Sequence, residues 1–111
     1  MTQQQSVMVV SEIEFRVSIG GDTDLESIVD ALADELASLE DVTPALLDST
    51  VFMDADESLI AATVTTEADT FEAAAQTGDA AVRAAVHAAG GATPDWNAST
   101  IRDSSELVSN S

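Results

Sequence analysis

Cysteine and lysine are both missing from this chain, and the two absences remove whole classes of chemistry. Without cysteine there is no disulfide framework, no thiolate nucleophile and no thiolate metal site. Without lysine, the three arginines Arg16, Arg83 and Arg102 face 21 acidic residues, a formal charge of −18. Neutralising phosphates takes clustered basic side chains, so direct nucleic-acid binding is not expected. An anionic bilayer would repel the chain as well. No apolar run approaches the ~20 residues that span a membrane. The start, Met-Thr-Gln-Gln-Gln-Ser, lacks the positive region of a secretory signal, and a cytoplasmic location is expected. Neither GxGxxG nor GxxxxGK[ST] occurs, so a glycine loop cradling a nucleotide is not indicated.

Aromatics are scarce too: three Phe, one Trp and no Tyr in 111 residues. The length suits one domain, and a hydrophobic fraction of 45% argues against general disorder. The core is therefore built from aliphatic side chains and alanine. The acidity has three readings: a compositional bias that favours solubility, complementarity to a basic protein, or mimicry of nucleic acid with carboxylates standing for phosphates. Spatial clustering, which a count cannot supply, separates them.

What is present is a patterned stretch from Ser11 to Leu39. Ile13, Phe15, Val17 and Ile19 alternate with Glu12, Glu14, Arg16 and Ser18, the period of a half-buried strand. The apolar phase of Val7 to Val10 lets that strand begin near Val7. After Gly20-Gly21-Asp22 the period becomes helical, and Leu25, Ile28, Val29, Leu32, Leu36 and Leu39 form one stripe. Thr23 with Glu26 has capping-box spacing, and the helix should end around Ser38 to Asp41. Leu46 to Met53 and Leu59 to Ala68, rich in Val, Ile, Thr and Phe, flank a polar turn and read as a hairpin. The buried parity of its first arm is left open. A second helix, capped by Asp69 or Thr70, carries the stripe Phe71, Ala75, Gly78, Val82, Ala85, Val86 and Ala89. Gly78 on that stripe suits close approach to a sheet, and one continuous helix is preferred over a break at Thr77-Gly78-Asp79 with Thr77 capping the second half. Gly90-Gly91 ends it, and Trp96 to Arg102 is a candidate last strand.

The expected organisation is a disordered N-terminus (residues 1–6), one α+β domain (7–102) and a flexible, acidic, Ser-rich tail (103–111). The order β-α-β-β-α with a candidate final strand predicts a ferredoxin-like plait, two helices on one face of an antiparallel sheet. A crossover from the first strand to a parallel neighbour is expected, with the first strand and the second hairpin arm central.

Three segments carry a resemblance: Val82-Arg83-Ala84-Ala85-Val86-His87-Ala88-Ala89-Gly90-Gly91-Ala92-Thr93-Pro94-Asp95-Trp96, Glu12-Ile13-Glu14-Phe15, and the helix Asp30 to Leu36. Together they resemble small uncharacterised proteins of high-GC actinobacteria and their phages. The resemblance covers roughly residues 11 to 97 and implies a βαββα plait without an assigned activity.

Candidate chemistry is sparse. Asp54-x-Asp56-x-Ser58 has alternating oxygen ligands as calcium needs, but Leu59 and Thr65 stand where a calcium loop needs Gly and a bidentate Glu, so a solvated turn is preferred. Asp22, Asp24 and Glu26 are explained by capping. Glu12 and Glu14 lie about 7 Å apart on one strand face, with Arg16 continuing the row and offsetting their repulsion. His87, the single histidine, has no visible partner for a dyad or triad. Trp96 reads as a lid on the core or as an interface anchor. The interaction candidates are Trp96, Glu12, Glu14, Arg16, Asp54, Asp56 and Glu57, with no metal, cofactor or catalytic residue. The expected function is a non-enzymatic acidic interaction module, a homodimer that engages a basic host protein as inhibitor, adaptor or regulator. The alternatives are a nucleic-acid-mimicking inhibitor and a small-molecule-sensing plait.

Overall fold

The computed structural model describes residues 6–20, 24–90, 92–93 and 96–110. The elements run β1 (Val7–Ile19), α1 (Leu25–Val42), β2 (Leu46–Asp54), β3 (Leu59–Ala68), α2 (Phe71–Ala88), β4 (Ala92–Thr93) and β5 (Trp96–Asn110). They build one sheet in the order β2-β3-β1-β5-β4. Every hydrogen-bonded pair is antiparallel. This is the ferredoxin-like plait. The crossover expectation needs one correction: β3 separates β2 from β1, so β1 has no parallel neighbour.

Alternation in β1 explains its place at the centre. Val9, Ser11, Ile13, Phe15 and Val17 are buried, while Glu12 and Glu14 between them are half-buried on the opposite face. The strand does begin at Val7. The buried row meets Ile28, Leu32 and Leu36 of α1 and Ala81, Val82 and Ala85 of α2 in one core. No aromatic other than Phe15 and Trp96 belongs to it, so small and branched aliphatics fill the layer.

Local capping sets both helices. The Asp24 carboxylate accepts from the Ser27 N–H at 2.8 Å; the Ser27 side chain first, and this N–H second, hold its carboxyl below the usual value. Asp24 is thus the cap of α1; the expected role for Thr23 lies outside the described residues. Thr70 caps α2, its hydroxyl accepting from the Ala73 N–H at 3.1 Å. The helix runs unbroken through Gly78, and glycine suits the position sterically: a Cβ there would meet Val64 Cγ2 at 3.1 Å and Ser11 Oγ at 3.2 Å. Its buried stripe includes Ala74 and Ala81, while Phe71, expected on the stripe, is 37% exposed.

The hairpin turn passes through Ser58 at φ 54. In β3, Ile60, Ala62, Val64 and Thr66 face the helices. Register then resolves β2: Val51 opposite Ala62 packs on the core, and Phe52 opposite Ala61 is exposed. Buried hydroxyls are satisfied, Thr66 donating to the Ala74 carbonyl at 2.7 Å and Ser11 bonding Ser105 at 2.9 Å.

The largest departure from expectation is β5. Residues from Asp103 on, expected as a flexible tail, continue the strand and pair with β1 as far as Asn110 opposite Val7. An open β1 edge supplies backbone donors and acceptors whatever the side chains are, which outweighs the poor strand propensity of Ser and Asp. Residues 1–5 and 111 lie outside the described residues. No helix among those described is long and apolar enough to cross a membrane.

Candidate functional site

One extra residue in β5 creates the site. Arg102 pairs with Glu14 and Thr100 with Phe15, so Ile101 has no partner and forms a bulge. Before the bulge Trp96, Ala98 and Thr100 stand on the helix side, opposite Ile19, Val17 and Phe15. Strict alternation would then turn Asp103 to the far face. The bulge resets the phase, and Asp103 lies opposite Ile13, on the helix side.

Above it runs α2, with Asp79, Val82, Arg83 and Val86 at the spacing i, i+3, i+4 and i+7 that makes one helical face. This face, Ile13 and Phe15 of β1, and Ala98, Thr100 and Asp103 of β5 enclose a cavity of about 150 Å³. One wall is apolar. The other end carries two carboxyls, a guanidinium and a hydroxyl, the mixture usual in a small-molecule site. A cavity of this size holds about one benzene ring when lined by apolar side chains.

The carboxyl of Asp79 is pushed up from its ordinary value, first by burial, then by hydrogen bonding with the Asp103 carboxyl and by that group's negative charge. The Arg83 guanidinium pulls the other way. The Oδ1 atom of Asp79 is buried without a hydrogen-bond partner. Such a pair can bind a hydrogen-bond donor or pass a proton to or from a bound molecule.

A second, shallower basin lies on the helix-free face, lined by Val10, Glu12, Thr63, Arg102, Ser104, Ser105 and Glu106. Glu12 and Glu14 are therefore where the alternation put them, with Arg102 opposite Glu14. A smaller depression joins Glu14 to Phe52, Met53 and Asp54 at the hairpin. Asp54 accepts from the N–H groups of Asp56 at 3.1 Å and Glu57 at 3.3 Å, an exposed turn bond set. Among the described residues no group of three acidic or histidine side chains is arranged to hold a metal. His87 is exposed in the last turn of α2.

Trp96 does not serve as an exposed anchor. It is 4% exposed, and its indole N–H donates to the Ala89 carbonyl at 3.3 Å. The ring closes the end of the core beneath the C-terminus of α2. Sequence reasoning missed Asp79 and Asp103 altogether. The one signal available was the pairing of Asp79 and Arg83 with Val82 and Val86 on a single helical face.

No family model and no curated protein matches the sequence. Solved structures are similar in fold, one of them over nearly the full length of the chain. This one is a crystal structure from Chloroflexus aurantiacus J-10-fl, provisionally named antibiotic biosynthesis monooxygenase, with a TM-score of 0.53 and 19% identity. The likeness covers 92% of this chain and 93% of that one. The non-enzymatic interaction module expected from charge is overturned by this finding. The similar plait carries the name of an enzyme, not that of an inhibitor, adaptor or regulator.

Proposed function

We propose that this chain is a small-molecule-binding plait domain whose ligand occupies the cavity between α2 and the β1–β5 pair. The observation that carries the reading is the lining: Ile13, Phe15, Val82 and Val86 on one side, Asp79, Asp103 and Thr100 at the other end. Apolar walls supply burial and the few polar groups orient the bound molecule. The fold-level likeness to a chain provisionally named a monooxygenase supports the same class of ligand.

The test is thermal. Ring-sized probes such as benzyl alcohol should raise the melting temperature increasingly with concentration, because they bind only the folded chain. Ala98→Phe fills the cavity and removes that shift, while far-ultraviolet dichroism and Trp96 emission stay native. An unfilled response, identical in both proteins, sinks the reading.

Self-association belongs to the same proposal. The β2 edge is open, and Phe52 and Met53 beside it are 59% and 45% exposed. A second copy is the occupant proposed for this edge, and light scattering at a single mass of one chain would refute it.

A further inference from the structure

The polar end of the cavity also carries information about the charge of its ligand. We propose that it takes a small organic cation, an ammonium or amidinium group on an apolar body about one aromatic ring in size. The inference rests on the small-molecule reading of this cavity.

Three observations converge on the cation. Asp79 Oδ1 is buried and accepts no hydrogen bond, so a donor brought by the ligand meets an atom that nothing in the chain satisfies. Beside it stands the Asp103 carboxyl, and two carboxyls this close repel unless a proton or a cation lies between them. The remaining lining cannot replace that cation. Ile13 and Phe15 from β1 and Ala98 and Thr100 from β5 are uncharged; Arg83 and Asp103 both stand exposed at the rim, and the one guanidinium leaves the two carboxyls with a net negative charge. An anion would meet two carboxyls, and the field of a chain carrying −18 repels it from further away.

Where the pair is protonated, binding displaces that proton. The ammonium donates to Asp79 Oδ1 and to the Asp103 carboxylate, and the proton leaves to solvent, so no bond other than hydrogen bonds is made or broken. Affinity accordingly rises as pH rises through the titration of the pair. The charged groups facing Asp79 are Asp103 from β5 and Arg83 from its own helix; the β1 residues beneath it, Ile13 and Phe15, do not titrate.

Calorimetry on the full chain with three isosteric probes, benzylamine, benzyl alcohol and benzoate, tests this. Benzylamine should bind about tenfold more tightly than benzyl alcohol, as charge-assisted bonds exceed neutral ones, and benzoate should not bind. Heats measured in buffers of different ionisation enthalpy should report proton release on the acid side of that titration. Asp103→Asn should erase the preference for benzylamine and keep benzyl alcohol; Asp79→Asn should do the same. Equal affinity for benzylamine and benzyl alcohol overturns the cation and leaves the cavity reading standing. Failure of all three probes overturns both. Benzylamine binding that ignores both Asn substitutions and vanishes with added salt is condensation on the acidic exterior, and it too overturns the proposal.

Discussion

Asp79 on α2 and Asp103 on β5 line one cavity across the helix–sheet layer, and the Asp103 carboxyl helps to push Asp79 up from its ordinary value, although 24 positions separate them in the chain. Each alone would be a solvated carboxylate on an acidic protein. Their meeting depends on two local facts: the face that α2 turns to the sheet, and the phase of β5 at Asp103, which in this sequence the unpaired Ile101 resets. From the pair follows a stability effect with a definite sign.

Because the folded chain holds the Asp79 proton where the unfolded chain has released it, stability falls as pH rises from the unfolded value of 3.8 to the raised folded one. Above that window the cost is constant. Asp79→Asn removes the ionisation and keeps the shape. The variant should melt above the parent at neutral pH, and the two curves should converge below pH 3.8. Thermal melts across the acid range check this; a variant that melts lower at pH 7 would show that the carboxylate is stabilising.

Trp96 offers a second test, since it is the single tryptophan. Its burial predicts blue-shifted emission that resists aqueous quenchers until the chain unfolds. Trp96→Ala should cost ~3–5 kcal/mol, a core truncation with a cavity left behind. Trp96→Phe, which keeps an aromatic body and loses the bond to the Ala89 carbonyl, should cost about 1 kcal/mol for that bond. Denaturant melts give both values, and a neutral Trp96→Ala would return the residue to the surface.

Gly78 sits where two effects oppose one another. Alanine gains about 1 kcal/mol in helix propensity, but its Cβ would press on Val64 Cγ2 and Ser11 Oγ. Neither neighbour yields easily, since Val64 is stiff at χ1 and Ser11 is bonded to Ser105. Overpacking of ~1–3 kcal/mol therefore wins, and Gly78→Ala should be neutral to mildly destabilising, with Gly78→Val clearly worse. A stabilised Gly78→Ala in urea would mean that α2 stands further from the sheet.

These residues also mark how far the sequence could be read. Where one side chain pattern repeats, as in Ile13 to Val17 or Leu25 to Leu39, burial follows from period alone, although Ile19 at the strand's end is 39% exposed. Gly78 was legible because a glycine on an apolar stripe has few other uses. The second half of β5 was not legible: Asp103 to Asn110 is a strand because β1 offers an unpaired edge, a partner no local pattern reveals. The cavity needed more still, because the parity of Asp103 is reversed by a bulge that period-2 counting passes over. Charge misled most. An acid count of 21 says nothing of which two acids meet.

The bulge itself separates register from composition. Deleting Ile101 leaves Thr100 opposite Phe15, Arg102 opposite Glu14 and Asp103 opposite Ile13, now with unbroken alternation, because only the unpaired residue is gone. The deletion should fold, lose a side chain that is 46% exposed, and keep the carboxyl pair. Inserting one serine between Arg102 and Asp103 does the opposite: on a strand that stays regular from Arg102 onward, it turns Asp103 to the helix-free face. Carbon-detected NMR titration of Asp79 distinguishes the two. Its carboxyl should stay raised in the deletion and fall towards its ordinary value in the insertion, where Asp103 contributes neither a hydrogen bond nor a nearby charge. Were the deletion to lower Asp79 as far as the insertion does, the bulge would be doing more than setting phase, and the site would depend on its local twist.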